Sequence, residues 1–156
     1  MAITIFATIT VCLVVGVMIF WMFRPKVHYP LTQDEENHLK NKEEHFKVVD
    51  QWLNTDKRFL ENDMKLDKVA RSVHLTERQV STAINTIACQ NFSTYLNSLR
   101  IKEAKLMLSS VEYDHFTIEA IGQMAGFSNK VSFYKSFKRV TGLSPTDYKK
   151  NIRPLN

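Results

Sequence analysis

The chain has little of what most catalytic and metal sites are built from. Four glycines in 156 residues leave no glycine-rich loop to cradle a phosphate. Two cysteines, Cys12 and Cys89, show no pairing of zinc-site spacing. A disulfide between them would have to join an apolar stretch to a soluble part in a reducing compartment, so none is expected. Five histidines (His28, His38, His45, His74 and His115) include no H-E-x-x-H. His38 and His45 stand seven apart and can share a helix face, yet two unaccompanied imidazoles make a poor metal site. No catalytic constellation, metal or cofactor is read from these residues, and the chain is not expected to be an enzyme.

Charge is the next absence. Ala2 to Phe23 is 22 residues without a charged side chain, and a helix of that length crosses a hydrocarbon core of about 30 Å. A cleaved signal peptide would need a basic leader, a shorter apolar run and a small-x-small cleavage site, and the segment has none of these. A single transmembrane helix over 2–23 is therefore expected. Arg24 and Lys26 come directly after it, which puts the rest of the chain in the cytoplasm beneath the inner membrane. Trp21 suits an interfacial anchor. Thr8, Cys12 and Gly16 form a stripe of small residues that either faces lipid or lets two spans approach as a homodimer.

The remaining charge is uneven. Residues 24–53 carry 5 Lys+Arg against 6 Asp+Glu, residues 54–156 carry 16 against 10, and the last 29 carry 7 against 1. A cationic end suits a polyanion, since each phosphate neutralised releases condensed counterions; anionic lipid would satisfy the same charge. Between the span and the basic part, 24–53 reads as a juxtamembrane helical stalk. Pro25 and Pro30 break it from the span. Thr32 with Asp34, Glu35 and Glu36 starts the helix, and Leu39, Phe46, Val49 and Leu53 recur at helical intervals. That stripe either pairs with a second copy or docks onto the domain.

The basic part, 54–156, carries one pattern laid down twice. Leu66, Val69, Ala70 and Leu75 return 52 residues later as Ile118, Ile121, Gly122 and Phe127. Val80, Ile84, Cys89 and Tyr95 return 53 residues later as Phe133, Phe137, Gly142 and Tyr148. One residue has been added in a turn. Each copy reads as a short amphipathic helix, a tight turn and a second helix, the form of a helix-turn-helix. The first unit covers about 65–90 and the second about 117–142, joined by a long helix over 92–109. That connector offers Phe92, Leu96 and Leu99 to one core and Ile101, Ala104 and Leu108 to the other, and its rise fixes the separation of the units.

In the first unit, Thr76 and Gln79 have capping-box spacing, so the second helix starts at Thr76 or Glu77. Burying Val80, Ile84 and Ile87 leaves Arg78, Ser81, Thr82 and Asn85 outward, types that suit base edges. In the second unit, Thr117 and Asn129 are N-caps and Gly126 serves the turn. Phe133 and Phe137 face the core, which directs Lys130, Val131, Tyr134 and Lys135 outward. Lys138, Arg139, Lys149 and Lys150 are placed for phosphates. Gly142 ends the helix and Ser144-Pro145 opens a last one, whose Tyr148 returns to the core.

At these residues the chain resembles the AraC/XylS family of bacterial transcription regulators. YLNSLRIKEAKLML from Tyr95 and GFSNKVSFYKSFKRVTGLSPTDY from Gly126 to Tyr148 carry the match, which spans about residues 55–152. The resemblance implies an all-α, seven-helix DNA-binding domain over 54–156. It assigns Arg78, Ser81, Thr82 and Asn85, with Lys130, Val131, Tyr134 and Lys135, as base-facing positions on double-stranded DNA. Three residues depart from the family pattern: Cys89 for a helix-ending Gly, Lys65 for a hydroxyl N-cap, and Gly122 for an Ala. They lead us to expect the second unit to be the better ordered reader. Some relatives carry several membrane helices before an acidic stalk, which admits this chain as the end of a longer membrane regulator. The expectation is a membrane-tethered, sequence-specific transcription regulator. Its alternative is a membrane-anchored adaptor that keeps the fold and binds a protein or anionic lipid.

Overall fold

The computed structural model describes Val15, Val17, Met18 and residues 32–152. Those first three residues are helical and exposed. The span expected over Ala2 to Phe23 otherwise lies outside the described residues, as do the breaks at Pro25 and Pro30. Among the described residues no helix is long and apolar enough to cross a membrane. The chain divides into two compact units, Met1–Gln33 and Asp34–Asn156, and the second holds the helical domain.

Among the described residues from 32 to 152 there are seven α-helices and no strand: α1 Gln33–Asn54, α2 Leu66–Ser72, α3 Glu77–Ile87, α4 Phe92–Ser109, α5 Ile118–Met124, α6 Lys130–Thr141 and α7 Pro145–Ile152. The count of seven includes the segment read as a stalk. Asp34, Glu35 and Glu36 occupy its first turn, where carboxylates meet the positive end of the helix dipole. Its C-terminal half is core. Val49 and Leu53 are fully buried, and Phe46 and Trp52 pack beside them. The Tyr95 hydroxyl donates to the Asp50 carboxylate, and burial first, then that bond, raise the phenol above its ordinary value. Of the two uses open to the apolar stripe, the structure shows the intramolecular one. A buried Val or Leu contributes about 1.5–3 kcal/mol, enough to hold this half of α1 down.

Beyond Asn54 the chain kinks. Asp56 and Lys57 both adopt left-handed backbone (φ 53° each) inside a short 3₁₀ segment, Thr55–Leu60. Lys57 reaches Glu103 of α4 at 2.5 Å, a bond that raises the ammonium above its ordinary value. The Arg58 guanidinium lies 4.9 Å from the Trp52 ring centroid. These contacts offset part of the conformational cost of two consecutive left-handed side-chain-bearing residues.

There are two cores, and α4 serves both. Its Phe92, Tyr95, Leu96 and Leu99 join α1, α2 and α3, while Ile101, Ala104, Met107 and Leu108 join α5, α6 and Tyr148 of α7. Arg100 stands at the junction, only 7% exposed. Its Nε donates to the Phe59 carbonyl (2.7 Å) and an Nη to the Glu61 carbonyl (2.6 Å), and its guanidinium lies 5.8 Å from the Phe127 ring centroid. Burial lowers the guanidinium's pKa from its ordinary value, and the two carbonyls meet the hydrogen-bonding demand of a buried cation.

Candidate nucleic-acid interface

The two helix-turn-helix units are closed by the same bonds. The Leu75 N–H donates to the Ala70 carbonyl and the Phe127 N–H to the Gly122 carbonyl, both at 3.0 Å. Each turn passes through one left-handed residue, His74 (φ 55°) in the first and Gly126 (φ 89°) in the second. The second helix of each unit, α3 or α6, is succeeded by another left-handed residue, Cys89 (φ 53°) or Gly142 (φ 78°). The added residue is Ser128, which lengthens the second turn before its cap.

Caps set where α3 and α6 begin. Thr76 Oγ1 accepts from the Gln79 N–H (3.2 Å), and the Thr76 N–H donates to Gln79 Oε1 (2.9 Å), a reciprocal box that starts α3 at Glu77. Asn129 Oδ1 accepts from the Ser132 N–H (2.8 Å) and starts α6; Thr117 does the same for α5 through the Ala120 N–H (3.1 Å). Lys65, ahead of α2, makes no side-chain cap bond.

On α3 the inner face is Val80, Ala83 and Ile84, all buried, with Ile87 half-buried at its edge. Arg78 and Asn85 are exposed, and Ser81 and Thr82 half-buried. These four share the side opposite the core. On α6 Phe133 and Phe137 are buried, Val131 is 75% exposed and Lys135 exposed.

Lys130 and Tyr134 are already engaged. Lys130 Nζ lies 2.7 Å from Glu119 Oε1, and the Tyr134 hydroxyl donates to the same oxygen at 3.2 Å. The Lys130 hydrogen bond, above all, holds the Glu119 carboxyl below its ordinary value, and Glu119 in turn raises Lys130. Tyr134 is half-buried against the second core, so its ring stands at the edge of the exposed face of α6. Lys138, Arg139 and Lys150 are exposed. Lys149 is half-buried and 3.5 Å from Asp114.

Sequence reasoning did not find Glu119. It sits in the first turn of α5, where an acidic residue reads as an ordinary dipole partner, and only the packing of α5 on α6 brings Lys130 to it. It also missed the surroundings of α3. A groove of about 240 Å³ runs beside that helix, with His38, Asn41, Lys42 and His45 of α1 on one wall and Thr76, Arg78, Gln79 and Thr82 on the other. The seven-residue spacing of the two histidines marked a shared face but not what it borders. Among the described residues no group of three His, Cys, Asp or Glu side chains is placed to hold a metal ion.

A family model described as a helix-turn-helix domain matches residues 69–151. An uncharacterized HTH-type transcriptional regulator of Bacillus subtilis (strain 168) is 26% identical over 95 residues, 61% of this chain and 12% of that protein. The raffinose operon transcriptional regulatory protein of Pediococcus pentosaceus is 31% identical over 80 residues, 51% of this chain and 28% of its own length. The chain thus corresponds to a minor part of these relatives. Among solved structures, the C-terminal domain of AraT, a response regulator from Geobacillus stearothermophilus, superposes with a TM-score of 0.61 at 22% identity. The match covers 72% of this chain and 88% of that one. The DNA-binding domain of AdpA, a global transcriptional factor solved in complex with a target DNA, gives 0.59 at 18% identity, over 71% and 97%. The fold is common to all three.

Proposed function

The chain belongs to the AraC-type helix-turn-helix family, and from that premise we propose that it is a membrane-tethered, sequence-specific, DNA-binding transcription regulator. The observation that carries the reading is the equivalence of α3 and α6. Each turns a fully buried face inward and a polar face outward, and α4 with Arg100 joins the units that present them. That AdpA was solved on its target DNA supports the partner. Arg78 and Asn85 are exposed on α3 and are the residue types that hold guanine and adenine, respectively, through paired hydrogen bonds, with Ser81 and Thr82 beside them. On α6, Val131 suits a thymine methyl and Lys135 a base acceptor. Lys130 joins them once it leaves Glu119, and Tyr134 stacks at the edge. Lys138, Arg139, Lys149 and Lys150 hold phosphates.

Tethering rests on the 22 uncharged residues from Ala2 to Phe23 and the cations directly after them. Because Phe46, Val49 and Leu53 are used inside the domain, self-association is assigned to the small-residue stripe of the span. Fractionation tests the tether: the chain stays with membranes through an alkaline wash, and release into the wash would overturn it. Selection of genomic DNA by the detergent-purified full chain at physiological salt tests the rest. One motif with two elements about ten base pairs apart is expected. Retention of DNA without any motif would reduce the interaction to backbone electrostatics and favour an adaptor.

A further inference from the structure

The N-terminal half of α1 has no role in the core. At 1.5 Å per residue the helix is about 33 Å long, and its buried residues are Val49 and Leu53 near its end. Most residues of Gln33–His45 are exposed, Leu39, Lys42 and His45 being half-buried. In the second unit α4 stands to the core as α1 does in the first, but the N-terminal half of α4 is itself buried in the first core through Phe92, Tyr95 and Leu96. Only the first unit therefore has a free helix face alongside its recognition helix.

The chemistry of that face is selective. The groove it makes with α3 is lined by eight side chains, none of them a carboxylate or an aliphatic residue. Lys42 and Arg78 bring fixed positive charge from opposite walls, His38 and His45 bring imidazole N–H groups, and Asn41 an amide. Thr76 and Gln79 are spent on each other in the capping box, so α1 supplies most of the uncommitted donors. The nearest acids on the same side of α1 are Asp34 and Glu35, four and three residues before His38, and both lie outside the lining. A donor-rich, acid-free groove is built for an anion. Arg78 and Thr82, expected on bases, form its other wall, and a major groove admitting one helix is bordered by phosphates of both strands.

We propose that α1 is a third DNA-contacting element, whose Lys42, with His38, Asn41 and His45, holds a backbone phosphate of the strand bordering the first recognition helix. This rests on the DNA-binding reading above. It adds affinity without sequence information, because a phosphate contact is the same at every base pair. It also gives the first unit a cation that no acid competes for, whereas Lys130 of the second must leave Glu119.

The test titrates detergent-purified full chain against its selected DNA site and a scrambled duplex, across salt concentrations, for the parent protein, Lys42→Ala, Lys42→Glu, Lys42→Arg and Arg78→Ala. Equal unfolding midpoints establish that folding is unchanged. Lys42→Ala is expected to weaken both duplexes several-fold by the same factor and to reduce the slope of log affinity against log salt by about one. Lys42→Glu should do more, and Lys42→Arg should restore the slope. Hydroxyl-radical footprinting should lose protection of one backbone stretch beside the first element in Lys42→Glu. If affinity and slope do not move in Lys42→Ala or Lys42→Glu while Arg78→Ala still weakens the selected site, α1 is no contact and DNA recognition stands. If Arg78→Ala also changes nothing, the DNA-binding reading falls and this inference with it. Loss of binding to anionic vesicles in Lys42→Glu, with DNA affinity unchanged, would assign the groove to lipid and overturn the proposal.

Discussion

The two helix-turn-helix units share one backbone and solve its constraints with different residues. Where the first has Ala70 and Val80 buried in one core, the second has Gly122 beneath Phe133. A methyl added at Gly122 would meet Phe133 Cδ1 at 2.6 Å, so the larger ring is accommodated by removing a carbon from the facing helix. The left-handed positions differ in the same spirit. The second unit uses Gly126 and Gly142, the first His74 and Cys89, which pay the steric cost that L-residues incur there. Equal geometry, then, does not mean equal tolerance. The first unit carries strain in its turns, and the second carries its tightness in its packing.

Substitutions that exchange these solutions sharpen the contrast, and Gly126→Ala should have the largest effect. Its new methyl would stand 2.7 Å from the Leu60 carbonyl oxygen and 2.8 Å from Arg100 Nε on backbone already left-handed. A loss of about 3 kcal/mol in denaturant unfolding is expected, whereas His74→Ala should cost under about 1 kcal/mol. A large loss at both positions would erase the distinction.

Gly122→Ala comes next, at about 1–3 kcal/mol through overpacking. Combining it with Phe133→Val, which copies the Ala70 and Val80 pair, should recover part of that loss. A double-mutant cycle returning additive values would show the pair to be independent. Cys89→Gly should stabilise by about 0.5–1 kcal/mol, since the residue is exposed and only its φ is unfavourable; an unchanged unfolding midpoint would count against strain at that cap.

The smallest effect concerns Glu119. Its carboxyl is held below the ordinary value by Lys130, so the pair's contribution is present at neutral pH and is lost as pH falls through the lowered folded-state value. The pair is solvent-exposed, so the change is slight. Glu119→Gln should remove this acid-side dependence and, by freeing Lys130, tighten DNA binding at neutral pH. Weaker binding in that variant would mean that Glu119 positions Lys130 for DNA and does not withhold it.

Much of the domain was legible because its signals are local. Thr76 with Gln79, Thr117, Asn129 and Gly142 mark helix ends by chemistry within a few residues, and the spacing of Leu96, Ile101, Ala104 and Leu108 divided α4 between two cores. The rest depends on contacts between distant parts of the chain. Nothing local distinguishes a free stalk from a docked one, and Val49 and Leu53 became core only through α2, α3 and α4. Arg100 looked like one more cation in a charged helix, yet its partners lie 41 and 39 residues away. The kink at Asp56 and Lys57 has no glycine to announce it. At the interface, residue types and faces could be read, but the engagement of Lys130 by Glu119 could not.

If the protein reads two DNA elements as proposed, the Arg100 junction constrains their spacing. One guanidinium ties the end of the first unit's entry segment to the connector helix and lies against Phe127 of the second unit, which opposes independent turning of α3 and α6. Duplex DNA rotates by about 35° with every base pair. An operator lengthened or shortened by one base pair between its two elements would present the second element off-axis and out of reach. On that reading the spacer should be invariant in length while free in sequence, and the protein would gauge helical phase as well as read bases.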